Sequence, residues 1–186
     1  KFNVLTLEGI SEIENILEKI FENNNLKGVI ISSNKDDFSA GMDLKVLAHL
    51  QDQSKNKEEI FQFVMRAHQF LRKIELGGID PKTKKGGIPF VWACNGLSAG
   101  IATEIGLACH YRIATDKKNT KIGLPEILVG LFPGAGGATR VSRMLGLMSS
   151  APILMEGRMF SAQKAKAIGL IDKVSNPLDL INEAKN

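Results

Sequence analysis

Two carboxylates stand in surroundings that carboxylates avoid. Glu104 lies in "CNGLSAGIATEIGLAC", Cys94 to Cys109, among Ile101, Ala102, Ile105 and Leu107. Glu126 lies in "GLPEIL", between an expected strand and a loop. An ionised carboxylate is expensive to bury alone, so such groups are paired, shifted in pKa or put to chemical use. Two of them can divide acid and base duties over one substrate, one taking a proton as the other gives one. Spacing leaves a blander reading open for each: Glu104 capping backbone donors, and Glu126 paired with an arginine such as Arg140.

The same stretch offers a serine. Gly96-Leu97-Ser98-Ala99-Gly100 fits the G-x-S-x-G elbow, which needs an acid and then a histidine further along the chain. The histidines are His49, His68 and His110, so only His110 follows Ser98, with no Asp between them. The helix expected from Ala99 to Cys109 would put His110 about 18 Å away at 1.5 Å per residue. Ser98 therefore reads as a small residue that starts a helix. The histidines lack metal-ligand spacing, and His68 falls on an apolar helix face. "GAGGATR" has Thr139 where a dinucleotide fingerprint needs Gly, and no G-K-[ST] accompanies it.

Strands and helices alternate around these residues, which predicts an α/β domain with crossover connections. Ser11 and Glu14 form a capping box ahead of Ile13, Ile16, Leu17 and Ile20, and "VIISS" (Val29 to Ser33) predicts a strand. A turn leads to a short helix from about Asp43. "QDQSKNKEE" is the most polar stretch and is expected to be mobile. A second amphipathic helix runs from about Glu58 to Leu76. "PFVWACNG" and "YRIAT" predict strands on either side of the Ala99 helix. "KIGLPEILVGLFPGAGGATRVSRMLG" predicts a strand, a loop and a helix from about Gly137. Beyond it come a helix over "SSAPILME", a short one capped by Ser161, and a strand at "LIDKV".

The 186 residues suit one domain, and 44% apolar with 24% charged residues is ordinary for a globular chain. A net charge of +4 comes from scattered lysines, and one Trp and one Tyr leave little with which to stack bases, so nucleic acid is not expected. Mild positive charge suits an anionic small molecule. Cys94 and Cys109 read as buried reduced thiols, and no run reaches transmembrane length. Cytosol, or an organelle matrix, is the expected location.

Three blocks taken in order carry a resemblance. "FSAGMDL" (Phe38 to Leu44), "CNGLSAGIATEIGLAC" and "GLPEILVGLFPGAGGATR" resemble the signature blocks of the enoyl-CoA hydratase/isomerase, or crotonase, superfamily, and "RMFSAQKAKAIGLIDKV" resembles a later segment. The likeness spans nearly the whole chain, so residues 1–186 read as one hydratase/isomerase domain. It implies an α/β spiral of repeated β-β-α units (the ClpP/crotonase-like fold). It also implies a homotrimer or a multiple of one, or a place in a larger β-oxidation complex. The implied ligand is an acyl-CoA thioester, with no metal or redox cofactor.

By position, the resemblance assigns the two catalytic glutamates to Glu104 and Glu126. It assigns the oxyanion-hole N–H donors to Met42 and Ile101. Ser39, Ala40, Gly41, Asp43, Leu44 and Lys45 of the first block, Gly100 of the second, and Pro133 and Gly134 of the third fall at substrate positions. Lys45 either approaches the CoA phosphates or is a solvated helix lysine. The implied reaction is hydration of trans-2-enoyl-CoA to 3-hydroxyacyl-CoA in fatty-acid β-oxidation. Isomerisation of a 3-enoyl-CoA, which needs chiefly the second glutamate, is the near alternative. A non-catalytic acyl-CoA or RNA-binding module and a serine peptidase of related fold are the distant ones.

The chain departs from the pattern in three places. Gly100-Ile101-Ala102 stands where three glycines are common, so the Ile101 side chain must point away from the thioester. His110 occupies a position often held by Asp and reads as structural. Gln51 to Gly87 is long, as in the hydratase part of bacterial bifunctional fatty-acid-oxidation α-subunits. The resemblance further implies that part of a first strand and C-terminal helices fall outside residues 1–186.

Overall fold

In the computed structural model, which describes residues 3–46, 48, 57–80, 82–84 and 86–186, four short segments pair side by side. They are β1 (Val29–Ile31), β2 (Phe90–Cys94), β4 (Tyr111–Thr115) and β6 (Lys173–Ser175), all parallel, in the order β1-β2-β4-β6. A parallel sheet must be covered on both faces, and these strands alternate accordingly. Phe90, Trp92 and Cys94 enter the main core with Phe70, Leu71 and Ile74 of α2 (Lys57–Leu76). Ala93 and Ile113 face the other way, onto Leu180 and Ala184 of α6 (Leu180–Lys185).

After each of the two central strands the chain makes a short strand in a second layer and then a helical segment. β2 leads to β3 (Ser98–Ala99) and α3 (Ile101–Ala108). β4 leads to β5 (Ile122–Gly123) and a 3-10 turn at Pro125–Val129. This is the β-β-α repeat expected of the spiral. β3 and β5 pair in parallel, Ser98 with Ile122 and Ala99 with Gly123. An isolated parallel bridge, Ser39 to Ser98, lays the first block alongside them.

Several boundaries differ from expectation. Helix α1 (Leu7–Glu22) starts a turn early, because the Thr6 hydroxyl already accepts from Gly9 N. Ser11 and Glu14 do not cap; both side chains bind Arg66 of α2 and tie the two helices together. β1 stops at Ile31, and the Ser32 hydroxyl turns to the Ala93 carbonyl instead. Ser98 and Ala99 are strand rather than helix, because β5 offers them a ladder.

The helices expected from Gly137 and over "SSAPILME" abut as α4 (Gly137–Glu156), broken at Gly146 with φ 76°. Ser161 caps α5 (Ala162–Ala167) as expected, while the last strand slips from "LIDKV" to Lys173–Ser175. The polar stretch expected to be mobile falls largely on residues 51–56, outside the described residues. No helix among the described residues is long and apolar enough to cross a membrane.

Candidate active site

Three parallel segments end at one edge. With Ser39 beside Ser98, and Ser98 beside Ile122, the chain beyond each strand emerges next to its neighbours. Met42, Ile101 and Glu126 all lie within four residues of those pairings. Ligands of α/β folds gather at such carboxyl ends of parallel strands. Two glycines allow the approach. Gly41 adopts φ 93°, and a Cβ there would sit 2.7 Å from the Ala99 carbonyl oxygen. Gly100 adopts φ 59°, and a Cβ there would sit 3.2 Å from Glu126 Oε1.

The two expected backbone donors are both unengaged among the described residues. Leu5 N donates to the Gly41 carbonyl and Asp43 N to the Leu5 carbonyl, which turns the N–H of Met42 away from that bridge. Ile101 opens α3, where N–H groups have no intrahelical acceptor. Neither N–H donates to any described residue. Ile101 and Met42 also line an apolar cavity with Leu5, Ala67, Phe70 and Ile105. The branched side chain of Ile101 thus lies on the same wall as Ile105, one helical turn on.

Glu104 is buried in α3, 2% exposed, and its Oε1 accepts from Ala135 N at 3.0 Å and Gly137 N at 2.7 Å. It does cap backbone donors, yet Oε2 has no hydrogen-bond partner among the described residues. Burial pushes its carboxyl up to about 7; the charge of Glu126 adds to the rise, and the Gly137 amide and Arg140 oppose it. Glu126 stands in the 3-10 turn that Pro125 opens and left-handed Gly130 closes. Its Oε2 is buried with no partner among the described residues, and burial raises its pKa as well. The pairing of Glu126 with Arg140 does not form: Arg140 binds Glu75 and the Ala135 carbonyl instead. Pro133 is buried and Gly134 half-buried, immediately before the amides that hold Glu104.

Other candidates fall elsewhere. Ser98 is fully buried, and its hydroxyl is 3.1 Å from that of Thr103, with no described histidine bonded to it. His110 Nδ1 accepts from Phe90 N at 3.0 Å, a structural role as expected. His68 is half-buried beside Gly136. Cys94 and Cys109 are free buried thiols. Ser39 and Gly41 are buried in the first block, and Ala40 and Asp43 are partly so. Leu44 and Lys45 are exposed, on a helical turn whose Lys45 N is capped by Asp43 Oδ1, and no described contact ties them to the carboxylates. The amides of Ala135 and Gly137 were not foreseen; the glycines of "GAGG" were the available signal. At Gly137 a Cβ would come 2.7 Å from Glu104 Oε1.

Solved structures share this arrangement of elements. An enoyl-CoA hydratase from Bacillus anthracis is 31% identical with a TM-score of 0.82, covering 98% of this chain and 65% of its own. An enoyl-CoA hydratase from Thermoplasma volcanium GSS1 is 25% identical with a TM-score of 0.82, covering 100% of this chain and 70% of its own. Pseudomonas aeruginosa DspI, at 22% identity and a TM-score of 0.81, shares the fold. The chain thus spans about two-thirds of the length of these proteins. The pattern described as enoyl-CoA hydratase/isomerase matches residues 1–186, so the chain that carries these three blocks and β-β-α layers belongs to that family.

Proposed function

We propose that this chain hydrates trans-2-enoyl-CoA to 3-hydroxyacyl-CoA, as a step of fatty-acid β-oxidation. The observation that carries the reading is buried Glu104, raised in part by the charge of half-buried Glu126, together with two N–H groups that donate to no described residue. Attack on the β-carbon drives negative charge onto the thioester oxygen, where Met42 N–H and Ile101 N–H would stabilise an enolate. Each such donor is worth roughly 3–4 kcal/mol in comparable sites.

Glu104 Oε2 takes a proton from water as its oxygen bonds to the β-carbon, while Glu126 delivers a proton to the α-carbon. Burial raises both carboxyls, and the charge of Glu126 raises Glu104 further, so a proton is held more readily here than on a solvated carboxylate. The two N–H bonds to Glu104 Oε1 leave Oε2 as the working oxygen. The step draws only on protein groups and water. Ser39, Ala40, Gly41, Gly100, Pro133 and Gly134 would shape the thioester site, with Asp43, Leu44 and Lys45 towards the CoA end.

A trimer, a multiple of one, or a larger β-oxidation complex is the assembly we propose. Exposed Leu128, Phe132, Leu147 and Met148 support it, as does a mildly basic chain for an anionic ligand. Two free thiols fit a reducing compartment, cytosol or matrix.

Loss of the crotonyl-CoA absorbance on adding the chain tests the proposal. Glu104→Gln and Glu126→Gln should each slow it on the order of a hundredfold or more. Isomerisation of a 3-enoyl-CoA that survives Glu104→Gln would favour the isomerase instead. Tight acyl-CoA binding with no absorbance change would favour a binding module.

A further inference from the structure

The carboxylate of Glu104 is gripped by two amides that belong to a loop, and something must hold that loop. Arg140, one turn into α4 and 12% exposed at its side chain, reaches back to do so. Its Nη1 donates to the Ala135 carbonyl at 3.1 Å, and its Nη2 donates to Glu75 Oε2 at 3.1 Å. Glu75 ends α2 and also binds Arg72 at 2.6 Å. Gly136 makes the reach possible: at φ 96° it has no side chain, and a Cβ there would sit 2.6 Å from Arg140 Nη1 and 3.3 Å from His68.

We propose that Arg140 is a positioning residue for Glu104. It clamps the Ala135–Gly137 loop to α2 and sets a partly buried cation behind the carboxylate that the loop holds. Two separate bonds give the clamp its geometry, since a guanidinium fork spans a carbonyl and a carboxylate at once. The charge acts as well. Burial works to raise Glu75, but Arg72 and Arg140 outweigh it and keep it ionised, so the clamp stays closed at neutral pH. Arg140 in turn opposes the rise at Glu104 that burial and Glu126 produce. The groups facing Glu104 are thus Glu126 and Arg140, and those facing Arg140 are Glu75, Arg72 through Glu75, and His68 across Gly136.

The consequence for rate rests on the hydratase reading; the consequence for titration does not. The test is therefore the midpoint of Glu104 itself, read by infrared difference spectroscopy on glutamate-labelled protein with Glu104→Gln as the assignment control. In Arg140→Gln and Arg140→Met the midpoint should move up from about 7, and in Arg140→Lys it should stay close to the parent. Hydration by the first two should lose on the order of tenfold to a hundredfold in kcat with little change in KM.

Should Arg140→Met not fold, Arg140→Gln, which can still donate to the Ala135 carbonyl, gives the same reading. An unmoved midpoint in Arg140→Gln, or a Lys variant shifted as far as the Met variant, overturns the proposal. A shifted midpoint in a protein that hydrates nothing upholds the clamp and sinks the hydratase reading alone.

Discussion

Glu104 is the residue on which fold and chemistry pull in opposite directions. Its carboxyl is raised from the ordinary range to about 7, first by burial. A carboxyl raised in the folded state binds its proton more tightly there than in the unfolded chain. Stability from this group is therefore full below pH about 4.5 and falls as pH rises to about 7. Glu126, raised by burial too, adds to the loss with the same sign. A base must be ionised, so hydration should rise with pH through the window in which stability falls. Glu104→Gln keeps an oxygen for the Ala135 and Gly137 amides and removes the charge. Denaturant melts at pH 8 should find it more stable than the parent by roughly 1–3 kcal/mol, with no difference at pH 4. Equal stability at both pH values would show that the carboxyl is not raised.

At the scale of elements, small contacts decide where helices begin and how they face the site. α1 is capped by Thr6, whose hydroxyl accepts from Gly9 N at 3.1 Å. Thr6→Ala should cost about 1 kcal/mol of stability. Ser11 is inside the helix and helps hold Arg66 at an exposed contact, so Ser11→Ala should cost about 0.5 kcal/mol or less. Thermal melts of the two variants would reverse this order if the capping box were real. α1 and α2 are laced by Glu14–Arg66 and Glu18–Lys73 on their outer sides, while Leu17, Phe70 and Ile74 meet inside. The far end of α2 supplies Glu75, so the helix that covers the sheet also anchors the loop around Glu104.

Across the whole molecule, apolar side chains crowd the surface of one stretch of sequence. Leu128 is 69% exposed, Phe132 73%, Leu147 78% and Met148 87%. Exposed apolar surface of this kind marks an interaction site or an association liability. The 186-residue chain should therefore brighten a dye that reports apolar surface, and Leu147→Gln with Met148→Gln should dim it while circular dichroism stays unchanged. Equal brightness in both would place the dye elsewhere.

The β-β-α class came from the likeness of the three signature blocks; the amino-acid sequence by itself determined the alternation of strands and helices and marked two acids in apolar surroundings. Those signals are local: apolar runs, turn residues, and acids set where solvent is scarce. It could not settle what Glu104 does with each oxygen, because Ala135 and Gly137 are distant in the chain and offer only backbone. It misplaced the start of α1 since Thr6 and Ser11 both carry a hydroxyl, and only packing selects between them. Ser98 looked like a helix start until β5 supplied a ladder for it. Arg140 was weighed as a partner for Glu126 and went to Glu75. Charge picks the type of partner, but only the folded distances pick which one.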